Sequence, residues 1–301
     1  NVITSLVTLV LLFPDMIPGL REKASFVLLK RMLAYSFPIL ILGIAGIFNQ
    51  TADKILFPFL FEDKEMANTQ LGIYGACFKI AVVLVMFTQA FRYAYEPFIF
   101  AKNKDDDSKK SYSEAMKYFI IFALLIFLAV MFYIDIFKHI VPVSYYPGLR
   151  VVPIVMLGEL FFGIYFNLSF WYKLIDQTRW GAYFSTIGCA ATILIIVIFA
   201  PVYGYMAFAW ASFASNLIMM LLSYFIGQKK FPIQYDLKSA VIYSVLAAVF
   251  YLAGMLPTIE SELLRLGYRT LLLCLFVGIV IRRDLPLQEL PYVGRYFAKK
   301  K

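Results

Sequence analysis

Eight continuous apolar runs, at residues 32–57, 72–98, 118–136, 151–172, 181–200, 205–226, 240–256 and 266–281, dominate this chain. Each comes close to the ~20 residues that a helix needs to cross the hydrocarbon of a bilayer. In lipid the backbone must satisfy its own hydrogen bonds, which leaves only helices and closed barrels. Barrel strands would alternate polar and apolar residues over segments of ~10, and these runs do not. A soluble helical domain would carry a polar face on each helix, and these runs are apolar nearly all round. A hydrophobic content of 62% fits the same reading. The expected fold is therefore all-α: a polytopic transmembrane helix bundle of about eight full spans plus one partial span.

The partial span is residues 2–13. It is about half the length needed to cross, and it lacks the basic leader and small-residue cleavage site of a signal peptide. It reads as the end of a truncated transmembrane helix, which makes the chain the C-terminal part of a longer protein. The expected organisation is then 1–13 as that helix end and 14–31 as a cytoplasmic link. Residues 32–226 form a six-helix transport lobe, and 227–301 supply two further helices and a basic tail.

Charge placement tests this segmentation. With the 14–31 link cytoplasmic, alternation puts 101–117, 173–179, 227–239 and 282–301 on the same side, and these five segments hold 20 of the 28 Lys and Arg. The opposite segments (53–71, 137–150, 201–204 and 257–265, with Arg269 just beyond) hold six, and only Lys79 and Arg92 remain inside spans. That asymmetry follows the positive-inside rule and predicts a cytoplasmic C-terminus. Much of the net charge of +9 thus reflects topology, and no nucleic-acid partner is needed to explain it.

The polar residues kept inside the runs are the candidates for function, because burying an ionisable group in hydrocarbon costs at least ~2.5–3.5 kcal/mol. In the first full span Gly46, Asn49 and Asp53 share a helical face, flanked by Gln50 and Lys54. In the second, Gln89, Arg92 and Glu96 share a face, with Lys79 on an adjacent one. In the fourth, Glu159, Gly163 and Asn167 form a stripe with Glu159 near mid-span. Plainer readings compete: Arg92 and Glu96 as an i,i+4 pair snorkelling to the headgroups, Asp53 and Lys54 as a helix end, Asn167 and Asn216 as interhelical glue. Glu159 lies too deep to snorkel. Ala207, Ala211 and Ser215 make a small-residue stripe for close helix approach. Residues 201–204, Pro-Val-Tyr-Gly, predict a tight turn.

Catalysis and metal binding find little support. The chain has one His and three widely spaced Cys, and no Ser/His/Asp set, P-loop or dinucleotide fingerprint. Asp105–Asp107 read as a solvated loop, Asp135 with His139 offers too few ligands, and the glycosylation-like Asn167-Leu168-Ser169 lies inside a span.

The segment Leu71–Ala81, with its G-x-Y-x-x-x-x-K-I-A pattern, resembles bacterial polysaccharide flippases of the multidrug/oligosaccharidyl-lipid/polysaccharide exporter superfamily. So does Gln89–Phe98, and so does Phe162–Thr178 with Trp171-Tyr172-Lys173 followed by the Pro-Val-Tyr-Gly turn. The resemblance is best over residues 28–225. It implies two lobes of transmembrane helices, both ends cytoplasmic, around a cationic cavity.

It further implies a flippase that moves a lipid-linked oligosaccharide, polyprenyl-pyrophosphate-linked, across the bacterial inner membrane for surface polysaccharides such as O-antigen. Lys79, Arg92 and Lys54 would neutralise the pyrophosphate, and Asn49, Gln50, Gln89, Asn167 and Glu159 would bond sugar hydroxyls. Glu96 joins them along the path. Asp53 and Glu159 are candidates for coupling to Na⁺ or H⁺, and no other cofactor is expected. The implied partners are the bilayer, the N-terminal lobe of the same protein and polysaccharide assembly enzymes. The alternatives are a cation-coupled multidrug exporter, which has no need of Lys79 and Arg92, a membrane polymerase or ligase, which the short 53–71 external loop disfavours, and a non-transporting partner of a synthase complex.

Overall fold

A computed structural model describes residues 2–20, 25–61, 63–102 and 108–284, and their side chains except those of 15–20, 49–50, 53–54 and 100–102. The described residues are helical almost throughout. The helices are α1 (Val2–Leu20), α2 (Phe26–Leu60), α3 (Lys64–Lys102), α4 (Ser108–Phe132), α5 (Ile134–Phe137), α6 (Val151–Leu168), α7 (Phe170–Leu174), α8 (Arg179–Tyr203), α9 (Tyr205–Lys230), α10 (Leu237–Met255) and α11 (Glu262–Asp284). Two 3₁₀ segments, Lys138–Ile140 and Val143–Arg150, lead from α5 into α6. Among the described residues eight helical stretches are long and apolar enough to cross a membrane. The protein is an all-helical, polytopic transmembrane bundle.

The helices outrun the apolar runs that announced them. With 39 residues, α3 is about 58 Å long at 1.5 Å per residue, nearly twice a hydrocarbon core. Since α2 continues to Leu60 and α3 begins at Lys64, the external loop expected at 53–71 shrinks to residues 61–63. Asp63 makes that tight start: its Oδ1 accepts the Glu65 N–H at 2.8 Å, an N-cap contact. Pro38 and Pro58 in α2 and Pro97 in α3 each remove an intrahelical hydrogen bond without ending the helix, which membrane packing tolerates. The helix expected to end before Pro14 continues to Leu20, and α2 starts inside the expected 14–31 link.

The expected turn at 201–204 narrows to one residue. α8 runs through Pro201 to Tyr203, and Gly204, at φ +55°, reverses the chain into α9. Only glycine adopts that conformation without strain. Gln70 of α3 braces the turn, its Oε1 accepting the Tyr205 N–H at 3.2 Å.

Packing divides the bundle into two parts that meet where α4 lies against α3 and α6. On one side α2, α3, α6, α8 and α9 contact one another in a ring; on the other, α10 and α11 pack against α4. The small-residue stripe works as expected: Ala207, Ala211 and Ser215 are all buried. Ser215 Oγ donates to the Gly188 carbonyl of α8 at 2.9 Å, and Asn216 Nδ2 donates to the Gly158 carbonyl of α6 at 3.1 Å. A Cβ at Gly158 would sit 3.2 Å from the Phe213 Cα, so α6 and α9 meet there backbone to backbone. Gly158→Leu is therefore expected to push these helices apart and lower stability by about 1–3 kcal/mol, the usual penalty of overpacking. A denaturation midpoint equal to the parent's would refute this close approach.

Two polar clusters fasten α10 and α11 to α4. At one end Asp135, just after α4, lies 2.8 Å from Arg269 Nη1 and 2.9 Å from Arg265 Nε, the latter without hydrogen-bond alignment, and 3.5 Å from Lys138. Arg269 is buried and also donates to the carbonyls of Gly254 and Phe132, at 3.0 and 3.2 Å. Arg265 and Arg269 were expected in or beside an external loop. Both lie on the first turns of α11, which starts at Glu262, so the helix takes in the end of that loop. At the other end Asp284 takes contacts from Lys117 and Tyr243, and Tyr118 donates to its carbonyl at 3.0 Å. Asp236 caps α10 by accepting the Ser239 N–H at 3.0 Å, and its hydrogen bonds from Ser239 hold its carboxyl below the ordinary range.

Candidate functional site

The ring of α2, α3, α6, α8 and α9 encloses a cavity of about 1010 Å³. Five of the expected site residues bear on it directly or through a neighbour. Lys79, Gln89 and Arg92 line it from α3, and Glu159 lines it from α6. Lys79 and Arg92 are 13 residues apart on α3, roughly 20 Å along the helix axis, so their positive charges are spread along the cavity wall. Lys79 is exposed to this space, and among the described residues it forms no ion pair.

Glu96 is not among the lining residues. It is the counter-ion of the cations that are: its Oε1 accepts from Lys173 Nζ at 2.9 Å, and its Oε2 lies 3.6 Å from Arg92 Nε. The Arg92–Glu96 contact is thus a real i,i+4 pair, joined by a third charge that was read as part of the topological charge pattern. Lys173 lies on α7 and lines the cavity, with its side chain only 13% exposed. The guanidinium of Arg92 and the ammonium of Lys173 each stand 4.9 Å from the Phe166 ring, so both share one aromatic face provider. The signal for Lys173 was present in the Trp171-Tyr172-Lys173 segment.

Glu159 is 8% exposed and lies on α6 facing the cavity, and among the described residues no cation pairs with it. Polar groups from the neighbouring helices line the same space: Ser185 and Thr192 of α8, Ser212, Ser215 and Asn216 of α9. The Thr192 hydroxyl is buried without a hydrogen-bond partner. Tyr165 and Tyr172, whose hydroxyls are 3.4 Å apart, add two more cavity hydroxyls that no sequence spacing pointed to.

Asn167 does not reach the cavity: its Nδ2 donates to the Gly163 carbonyl one turn back at 3.0 Å. It is neither interhelical glue nor a lining residue. The side chains of Asn49, Gln50, Asp53 and Lys54 lie outside those described, as do Asp105–Asp107 and the tail after Asp284. On the backbone these four belong to α2, which reaches the cavity through Gly43, Gly46 and Ala52. Among the described residues no group of three or more His, Cys, Asp or Glu is gathered for a metal ion.

Among solved structures the chain is similar to "Lipid II flippase MurJ, inward closed conformation", with a TM-score of 0.60 and 18% identity, over 90% of this chain and 59% of that one. At this identity the likeness establishes the fold, a polytopic helical bundle of the same kind. No family model matches the sequence, and no curated protein does.

Proposed function

We propose that this chain forms part of a flippase for a lipid-linked oligosaccharide in the bacterial inner membrane. The observation that carries the reading is the cavity inside the membrane-spanning ring, walled by apolar helices yet lined by Lys79, Arg92 and Lys173. A cation such as Lys79, which has no ion-pair partner among the described residues, is costly in hydrocarbon unless something polar passes it. A polyprenyl-pyrophosphate-linked sugar supplies what such a wall needs. Its phosphates match the Arg fork and the Lys point charges, and its hydroxyls match Gln89, Tyr165, Tyr172 and the Ser/Thr groups. The likeness to a structure titled as a lipid II flippase supports the general class.

Transport would proceed by alternating access, this bundle rocking against a second lobe and opening the cavity to each face in turn. Lys79 stands about 20 Å along α3 from the paired Arg92 and Lys173, a separation that suits weak, sequential binding and release. Glu159 is the coupling residue of this proposal, with Asp53 as a second candidate, exchanging Na⁺ or H⁺ between the two states. The C-terminus is cytoplasmic in this scheme, with surface polysaccharide, O-antigen among the candidates, as the end product. The chain's own part is transport and not catalysis.

The test is to deplete the full-length protein in its native bacterium and locate lipid-linked oligosaccharide with a membrane-impermeant glycan-modifying probe. Accumulation on the cytoplasmic leaflet, accessible only in opened vesicles, is the expected result. Unchanged sidedness with altered sensitivity to cationic drugs would replace this reading with a multidrug exporter.

A further inference from the structure

A second cavity, of about 820 Å³, lies outside the ring, between the first turns of α2 and the α7–α8 turn. Its floor is apolar: Leu28, Met32 and Tyr183 are 57%, 58% and 56% exposed. Its rim is basic. Arg31 and Arg179 both line it and are exposed, and among the described residues neither has an ion-pair partner. Trp180 also lines it, with Lys230 of α9 set 5.5 Å over its ring. One carboxylate, Asp176, also lines it, against the two guanidiniums.

The cleft is held open by specific contacts. The Thr178 hydroxyl donates to the Tyr35 carbonyl at 3.1 Å, tying α2 to the turn before α8. The turn itself passes through Asp176 at φ +56°, a conformation that Asp tolerates better than most residues. Its end is closed by the Gln177 N–H donating to the Tyr172 carbonyl at 2.7 Å.

We infer that this cleft binds an anionic phospholipid, apart from the substrate cavity and independently of the transport reading. Arg31 and Arg179 lie near the ends of the α2 and α8 spans, where they can meet a lipid phosphate, Trp and Tyr are the rings favoured at a membrane interface, and the apolar side chains take the acyl chain. The floor continues into the outward faces of α2 and α8, where Phe37, Leu40, Ile44 and Ile187 are all exposed. A soluble protein partner would leave that continuation uncovered, and a zwitterionic lipid would leave the surplus positive charge unmatched.

The chain has three Trp, of which Trp171 is buried, so Trp210→Phe leaves Trp180 as the reporter of this cleft. The experiment reconstitutes that variant of the full chain in vesicles of phosphatidylcholine containing either brominated phosphatidylglycerol or brominated phosphatidylcholine. Trp fluorescence quenching is then read. The expected result is a preference of at least about fivefold for the anionic lipid, the effect of a basic side chain at a charged surface. Arg31→Gln with Arg179→Gln should abolish the preference while leaving quenching by phosphatidylcholine and the thermal unfolding midpoint intact, the latter showing that the variant is folded. Should that variant not fold, raising the salt to 1 M on the parent should erase the preference instead. Equal quenching by the two lipids overturns the proposal. So does a preference that survives both the Gln variant and high salt, and so does quenching by neither lipid, which would mean that protein covers the cleft.

Discussion

Replacing Asp135 with Asn is expected to lower the stability of the bundle by about 3 kcal/mol, the low end of the range for breaking one side of a buried ion pair. Asp135 is the carboxylate facing Arg265, Arg269 and Lys138. Arg269 is 7% exposed, so it would keep its charge with neutral acceptors, the Gly254 and Phe132 carbonyls and Met255 Sδ, and no carboxylate. The low end applies because Asp135 itself is 24% exposed and part of the loss is made good by water. The double variant Asp135→Asn/Arg269→Met should recover much of the loss, since it removes the stranded charge.

The same cluster predicts a pH dependence. Burial pushes the Asp135 carboxyl up, but Arg265, Arg269 and Lys138 outweigh it, and the group lies below the ordinary carboxylate range. A carboxyl lowered on folding stabilises the protein above its unfolded pKa, ~3.9 for Asp, and loses that contribution as pH falls through the folded value. Acidification below about pH 4 should therefore erode parent stability more than that of Asp135→Asn. Chemical denaturation across pH in detergent measures both effects. Equal midpoints for parent and variant at pH 7 would mean that the Asp135 cluster adds nothing net to the hold of α11 on α4.

What the sequence disclosed and what it hid follow from the range of each interaction. The eight spans were legible because lipid imposes a length and a composition on a helix, both local properties. Their ends were not. The first turns of α2 and α3, including Arg31 and Lys64, are polar or mixed, so hydropathy fades before the helix does. Glu159 was legible from depth alone, and the structure puts it on a cavity wall. Lys173 stood in the Trp171-Tyr172-Lys173 segment that carries the resemblance, but at the end of a span a cation suits topology as well as function, so its role did not stand out. The partnership of Asp135 with Arg269 spans 134 residues of sequence, and no spacing rule reaches that far. Asn167 shows the opposite failure: it shared a helical face with Glu159, yet its amide turned back on its own helix.

Under the proposed function, Arg92→Ala should cut transport by about ten- to a hundredfold, the value of a charge-assisted hydrogen bond to phosphate. Folding should be spared. Arg92 is 42% exposed, and its removal leaves Glu96 still paired with Lys173 at 2.9 Å, so no buried charge is orphaned. Lys173→Ala should cost a similar factor in transport but more in stability, because Lys173 is 13% exposed and bridges α7 to α3. Glu96→Gln separates the two roles of these cations. It releases Arg92 and Lys173 from their internal counter-ion, so the substrate should bind more tightly and leave more slowly. In proteoliposomes of the full-length protein carrying a lipid-linked oligosaccharide, this variant should show a lower KM together with a lower turnover. The two Ala variants should show a raised KM. Arg92→Ala with parent-like transport and normal assembly would remove the cationic wall from the mechanism and leave the cavity as a passage for a different cargo.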